Sequence, residues 1–243
     1  MEFPVPILQF EITGAMGHFK KYYSNISSLT YEVPPRTVIM GMLASLLGRS
    51  RDSYYREFHP EKCKLGVQLC SNTRKLMQCM NYRVKDGSYT QVRLELLLPE
   101  EENLKYRIFV AHEDTEEFGA LKEVLEAADP GYGLYLGQRP FRADVGEVNI
   151  ISKSQVGLEE KVTEELQTLT FEDNVIKTNS GGDFQLDITN VSMPVSMKQV
   201  ENGREPEEYG MMVYERTGNT LPGTYREVIY AGKKPISFFT PVQ

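Results

Sequence analysis

Cysteine is scarce in this 243-residue sequence: Cys63, Cys70 and Cys79 are the only three, and none forms a close CxxC pair. An odd, scattered set signals neither a disulfide framework nor a zinc site. Long apolar runs are missing too. The longest nearly uncharged stretch, residues 38–48, falls far short of the roughly 20 residues that cross a bilayer. Met1-Glu2-Phe3-Pro4 has no basic n-region of a secretory signal. The glycine–lysine pattern of a P-loop, a GxSxG elbow, an HExxH helix and an HxE with PCxxC are all absent. These absences exclude the secreted, membrane-spanning and zinc-built classes as expectations. A reducing cytoplasm fits, with no cofactor, no metal and no membrane partner. What is present is ordinary for a folded chain: 40% hydrophobic and 25% charged residues, enough for one large domain or two modest ones.

The net charge of −7 is unevenly spread. Residues 1–99 carry 13 Lys/Arg against 8 Asp/Glu, residues 100–131 carry 3 against 10, and residues 151–243 carry 9 against 14. A basic first part followed by acidic parts suits one face for a polyanion and others for protein or solvent. Ordinary scatter over a solvated surface explains the same counts.

Alternation of Leu8, Phe10 and Ile12 with Gln9 and Glu11 predicts a strand over residues 5–12. A loop follows to residue 35. Pro34-Pro35 then open a helix whose Ile39, Met42, Leu43, Leu46 and Leu47 recur at helical spacing, with Gly48 as its stop. Strands are expected at 65–70 and 106–111, and a hairpin over 76–98 that turns at residues 85–88. Asp114 and Glu117 form a capping-box pattern ahead of the stripe Phe118, Leu121, Leu125 and Ala128, and Asp129-Pro130-Gly131 ends that helix. Strand-like pieces at 133–137 and 145–151 complete a split βαβ plan of α+β class, ferredoxin-like and shared with the RNA-recognition motif. Strands at 184–191, 210–215, 225–230 and 235–240 suggest a smaller β-rich unit. The charged stretch 199–209, nearly devoid of aliphatics, reads as the most mobile. The expected division is 1–151 and 152–243.

Several segments hold groups suited to RNA, each with a plain structural alternative. Gly14 and Gly17 permit close backbone approach, Lys20 and Lys21 can neutralise phosphate, and Phe19, Tyr22 and Tyr23 can stack bases. His18 beside them is a candidate acid or base for metal-independent RNA cleavage. The alternative is a surface loop whose aromatics pack on the sheet. Tyr31, Pro35, Arg36 and Thr37 lead into the first helix, whose N-terminus could receive a phosphate, or Thr37 could simply cap it. Arg74, Lys75, Arg83, Lys85 and Arg93, with Met77, Met80 and Tyr82 between them, make the hairpin a basic ribbon able to grip a backbone and unstack bases, or a sheet edge blunted by charge. Arg139 and Arg142 lie where a strand is expected to end and could also meet phosphate. The acidic trio Glu100-Glu101-Glu102 reads as a solvated loop.

Three segments resemble one family. Phe10-x-Ile12-x-Gly14-Ala15-x-Gly17-x-Phe19 resembles the first strand and loop of the fifth Cas family of CRISPR systems. Thr30-Tyr31-x-Val33-Pro34-Pro35-x-Thr37-x-x-x-Gly41-x-Leu43-Ala44-x-Leu46-Leu47-Gly48 resembles its most specific signature, and Tyr135-Leu136-Gly137 is similar to a third segment. The likeness covers residues 3–150. It implies a modified ferredoxin-like fold of the RAMP superfamily, with an inserted β-hairpin thumb at about 71–98 and a smaller β-rich C-terminal unit. It implies a non-catalytic subunit of the type I Cascade complex, most like the type I-B branch, that holds the 5′ handle of the crRNA. Partners would be the Cascade backbone subunit, the large subunit and, indirectly, target DNA. Residues 14–21 and 35–37 would face the handle. One branch of the family cleaves CRISPR RNA with tyrosine, lysine and histidine. Here His112 has no adjacent lysine and His59 sits beside Pro60, so no triad is evident.

Overall fold

The computed structural model describes residues 3–23, 27–127, 131–178, 186–201 and 203–242. Within them the chain is mostly β, with two α-helices. The first sheet takes β1 (Ile7–Gly14), β2 (Cys63–Leu69), β5 (Leu104–His112) and β6 (Asp144–Ile151) in the order β2-β5-β1-β6, every pair antiparallel. Between β1 and β2 runs α1 (Arg36–Leu46), and between β5 and β6 runs α2 (Thr115–Ala127). Inserted between β2 and β5 is a hairpin of two eleven-residue strands, β3 (Thr73–Arg83) and β4 (Tyr89–Pro99), in unbroken register from Thr73↔Pro99 to Arg83↔Tyr89. Its turn closes by Val84 N–H donating to Ser88 O at 2.9 Å, with Gly87 at φ +88°, where a side chain would be strained.

Both faces of β1 are covered, which the alternating pattern alone does not suggest. Leu8, Phe10 and Ile12 join the main core under the helices. Ile7 joins a second cluster with Phe109, Ile229 and Phe238. Gln9 and Glu11, expected to face water, are buried because later strands lie over that face. They are satisfied there: Lys234 Nζ donates to Gln9 at 2.9 Å, and Glu11 accepts from Lys105 at 2.7 Å and Arg107 at 2.6 Å.

The covering part contains β7 (Val156–Leu166), β8 (Val175–Thr178), β11 (Leu221–Ala231) and β12 (Lys234–Ile236), with β11 pairing all three others. A long hairpin of β9 (Ile188–Val200) and β10 (Gly203–Glu215) completes it. The main core draws on both parts: Met193, Val195, Met212 and Phe239 pack with residues of α1 and the first sheet. The last turns of the chain are also interior. Phe238 and Phe239 are buried, and Phe239 N–H donates to Leu65 O at 2.8 Å.

Three expectations need correction. Residues 133–137 form no strand; a single Tyr135↔Arg142 bridge and the bonds Leu136 N→Phe141 O and Ala143 N→Leu134 O fold 134–143 into a compact loop. Residues 199–200 and 203–209 belong to the β9–β10 ladder, because backbone pairing needs no aliphatic side chain and the Lys198–Glu205 ion pair (3.3 Å) bridges its strands, while residue 202 lies outside the described residues. The 235–240 strand shortens to β12. Residues 128–130, with Ala128 and the Asp129-Pro130 stop, and residues 184–185 lie outside the described residues.

Arg36 is the largest correction. Instead of offering a donor to phosphate it is fully buried. Its guanidinium donates to Val195 O (2.8 Å), Phe58 O (2.8 Å) and Cys63 O (2.6 Å), and Nη1 lies 3.0 Å from Met40 Sδ. Burial draws its pKa down to about 10, so it stays charged at neutrality. Thr37 does not cap the helix either; Pro35 is the N-cap, and its carbonyl receives Val38 N–H and Ile39 N–H. Gly48, at φ +64°, does follow the helix end, and Asp114 Oδ1 accepts from Glu116 N at 2.8 Å to cap α2. Arg36→Met strands three buried carbonyls. The expected loss is about 3 kcal/mol, read as a lower urea midpoint at unchanged m-value.

Candidate nucleic-acid interface

The glycine loop after β1 is pinned to two distant segments. Gly17 N–H donates to Leu97 O and Leu97 N–H to Gly17 O, both at 2.9 Å, and His18 N–H donates to Leu136 O at 3.0 Å. Ser27–Ser28 pairs in parallel with Arg93 and Leu94 of β4. Tyr82 of β3 donates to Gln138 Oε1 at 3.2 Å. One surface therefore collects the glycine loop, the hairpin and the 134–143 loop, which sequence reading treats separately.

Tight packing explains the glycines. A Cβ on Gly137, at φ +91°, would lie 1.9 Å from His18 O, and one on Gly14 would lie 2.7 Å from Leu136 Cδ1. Gly14 and Gly17 are buried. Their close approach is to the 134–143 loop, a correction to their expected opening toward a ligand.

The site candidates divide into buried and presented groups. His18 is buried, with Nδ1–H donating to Glu95 O at 2.8 Å and Nε2 accepting from Ser28 Oγ at 2.9 Å in the neutral form. Phe19 is buried edge-on against Tyr106, with centroids 5.8 Å apart, so its ring meets protein rather than a base. Tyr31 is buried and donates to Ser192 O at 2.7 Å. Pro35 and Arg36 are interior. Lys75 Nζ sits 2.5 Å from Glu32, which also receives Tyr214 (2.6 Å) and Arg216 (3.2 Å). Burial alone pushes the Glu32 carboxyl up, but the Lys75 and Tyr214 hydrogen bonds and the charges of Lys75 and Arg216 outweigh it and hold the pKa below normal.

Lys20, Tyr22, Arg74, Tyr82, Arg83, Lys85, Arg139 and Arg142 are exposed, as is Arg93. Lys21 is half-buried, its Nζ 5.5 Å from the Tyr31 ring centroid and 5.9 Å from that of Tyr23. None of Arg74, Arg83, Lys85, Arg93, Arg139 and Arg142 forms an ion pair among the described residues. The hairpin's two acids are engaged locally: Glu95 Oε2 accepts from Thr30 N at 2.8 Å, and Asp86 Oδ1 from Ser88 N at 2.9 Å. Met77 and Tyr89 add exposed apolar surface to this cationic ribbon.

Thr37 borders a cavity of about 310 Å³ between α1 and the 134–143 loop, together with Tyr54, Tyr55, Tyr135, Met197 and Arg204. Sequence reading singled out only Thr37 and Tyr135 among these. The others come from segments up to 150 residues apart, and the Tyr54-Tyr55 doublet is the one local signal. Among the described residues no three His, Cys, Asp or Glu side chains converge as metal ligands, and no helix is long and apolar enough to cross a membrane.

This architecture is that of CRISPR-associated proteins. It is similar to a solved structure titled "CRISPR RNA-guided surveillance complex" at TM-score 0.50 and 15% identity, covering 89% of this chain and 91% of that one. It is also similar to a CRISPR protein from Archaeoglobus fulgidus at TM-score 0.53 and 11% identity, covering 95% and 97%. At such identities the likeness is one of fold. The family model of the CRISPR-associated protein (Cas_Cas5) matches residues 7–212, and the chain belongs to that family. No curated protein matches it by sequence.

Desolvation lowers the His18 pKa below its ordinary value, against the raising influence of Glu95. The folded state therefore binds fewer protons than the unfolded one just below pH 6.5, and stability falls as pH drops through that window. Melting wild type and His18→Gln between pH 5 and 8 tests this. Their stability difference is expected to be largest at neutral pH and to shrink toward pH 5.

Proposed function

We propose that this chain is a non-catalytic, RNA-holding subunit of a type I CRISPR surveillance complex, gripping the 5′ handle of the crRNA. One observation carries the reading: six exposed cations that have no ion-pair partner among the described residues lie on the hairpin and the 134–143 loop, two segments that are hydrogen-bonded to each other and to the glycine loop. Phosphate supplies the missing counter-charge, and exposed Tyr82 and Met77 suit contact with bases. The sheet order β2-β5-β1-β6 with its two crossover helices supports a ferredoxin-like body, with the β3–β4 hairpin as thumb and residues from about 152 as a separate β-rich unit. In this reading the acidic surface of that unit meets protein, the backbone and large subunits of Cascade. The branch is most like type I-B.

Absence of chemistry is supported by two of the three histidines, His18 and His112. Both ring nitrogens of His18 are engaged in a buried setting. His112 Nε2 donates to Glu57 O at 3.0 Å, and its Nδ1 accepts from Asp114 N at 3.0 Å. Neither is placed to exchange a proton with a ribose hydroxyl.

Incubating the purified chain with labelled CRISPR repeat RNA in EDTA is the direct test. Retention of intact RNA, lost when the handle is scrambled, is the expected result. Discrete cutting at one repeat position, abolished by His18→Ala or His112→Ala, would instead establish the nuclease branch. Replacing Lys20 and Lys21 by alanine should flatten the salt dependence of binding by roughly 1.4 in slope, two single-strand phosphates' worth. An unchanged slope would remove that loop from the interface.

A further inference from the structure

Tyr22, half-exposed at 43%, does not stand alone. Its ring centroid lies 4.5 Å from that of Tyr209, with 43° between the planes, and Tyr23 packs edge-on against it at 5.1 Å. Tyr209 comes from β10, nearly 190 residues away. It is 47% exposed, Tyr23 is 50% exposed, and Met211, two residues on along the same strand face, is 42% exposed. The cluster is held rather than loose. Tyr22 OH lies 3.3 Å from Ser192 Oγ, and Tyr31 donates to Ser192 O, so two tyrosines of the N-terminal loop are tied to one residue of β9.

We propose that Tyr209 joins Tyr22 and Tyr23 in a platform on which a base of the bound single-stranded RNA stacks, so the RNA-binding surface continues onto the β9–β10 hairpin. This rests on the RNA-holding reading above and extends it to a unit whose acidic composition points elsewhere. Three features favour a nucleobase. Tyrosine rings offer π-faces to any base. Lys20 and Lys21 adjoin the platform and supply positive charge for the attached phosphate. The platform is also continuous along the chain with the glycine loop of the interface. Glu205, Glu207 and Glu208 precede Tyr209 on β10, so phosphate is repelled there and the RNA backbone runs on the lysine side.

The test titrates the full-length chain, its Tyr209→Ala and Tyr209→Phe variants, and Lys20→Ala/Lys21→Ala into single-stranded repeat RNA carrying 2-aminopurine. Tyr209→Ala is expected to weaken binding roughly tenfold and relieve part of the fluorescence quenching, with the salt slope unchanged. Tyr209→Phe, which keeps the ring, should bind as wild type. Melting curves verify that each variant is folded. Wild-type affinity and quenching in a folded Tyr209→Ala, with the lysine variant still impaired, overturns the platform alone. If that variant then loses co-purification with other Cascade subunits, the patch is a protein-docking site instead. Failure of wild type to bind RNA overturns the RNA-holding reading and the platform with it.

Discussion

A guanidinium buried without a carboxylate is the constraint around which the rest of the chain is arranged. Arg36 stays charged in the interior only because three carbonyls, from the segment before β2, from β2 itself and from β9, converge on it. Two lie at the entry to β2 and one far along the chain in β9, so the charge acts as a hub whose loss releases all three. Glu32, four residues earlier, repeats the arrangement with opposite sign, drawing in Lys75 from the hairpin and Arg216 and Tyr214 from the C-terminal strands. A short segment before α1 thus fastens both the inserted hairpin and the later strands to the first sheet.

Much of the first sheet was legible, because period-two and period-3.6 patterns report burial directly: β1, α1, the hairpin, β5 and the core of α2 all lie where their apolar spacing predicts. What escaped depends on contacts between distant segments. Nothing near Gln9 or Glu11 announces that β11 and β12 will cover them. Nothing near Arg36 reveals Val195. The β9–β10 ladder was hidden because its outer half pairs through backbone and the Lys198–Glu205 ion pair, which leave no hydrophobic signature. For the interface the chemistry of the segments was readable but their exposure was not. Phe19 resembles a base-stacking residue in sequence and is a core residue in space, whereas Tyr209 is a presented ring inside an acidic stretch.

Charge distribution becomes coherent on the structure. The overall excess of acid coexists with a cationic ribbon because the hairpin carries Arg74, Lys75, Arg83, Lys85 and Arg93 against only Asp86 and Glu95. Most of the basic residues in the core and at its margins, Arg36, Lys75, Lys105 and Arg107, are committed to internal partners. The cations of the hairpin and the 134–143 loop that have no ion-pair partner among the described residues are exposed.

The buried position of Phe238 and Phe239 sets an order of events during synthesis. Part of the first sheet's second face stays uncovered until these residues have emerged from the ribosome, since Phe238 packs in one cluster with Ile7 and Phe109, and Phe239 N–H donates to Leu65 O. A nascent chain that has already made its hairpin and helices therefore carries open apolar sheet surface until then. Emergence of this segment, rather than completion of the N-terminal half, is the step that seals it.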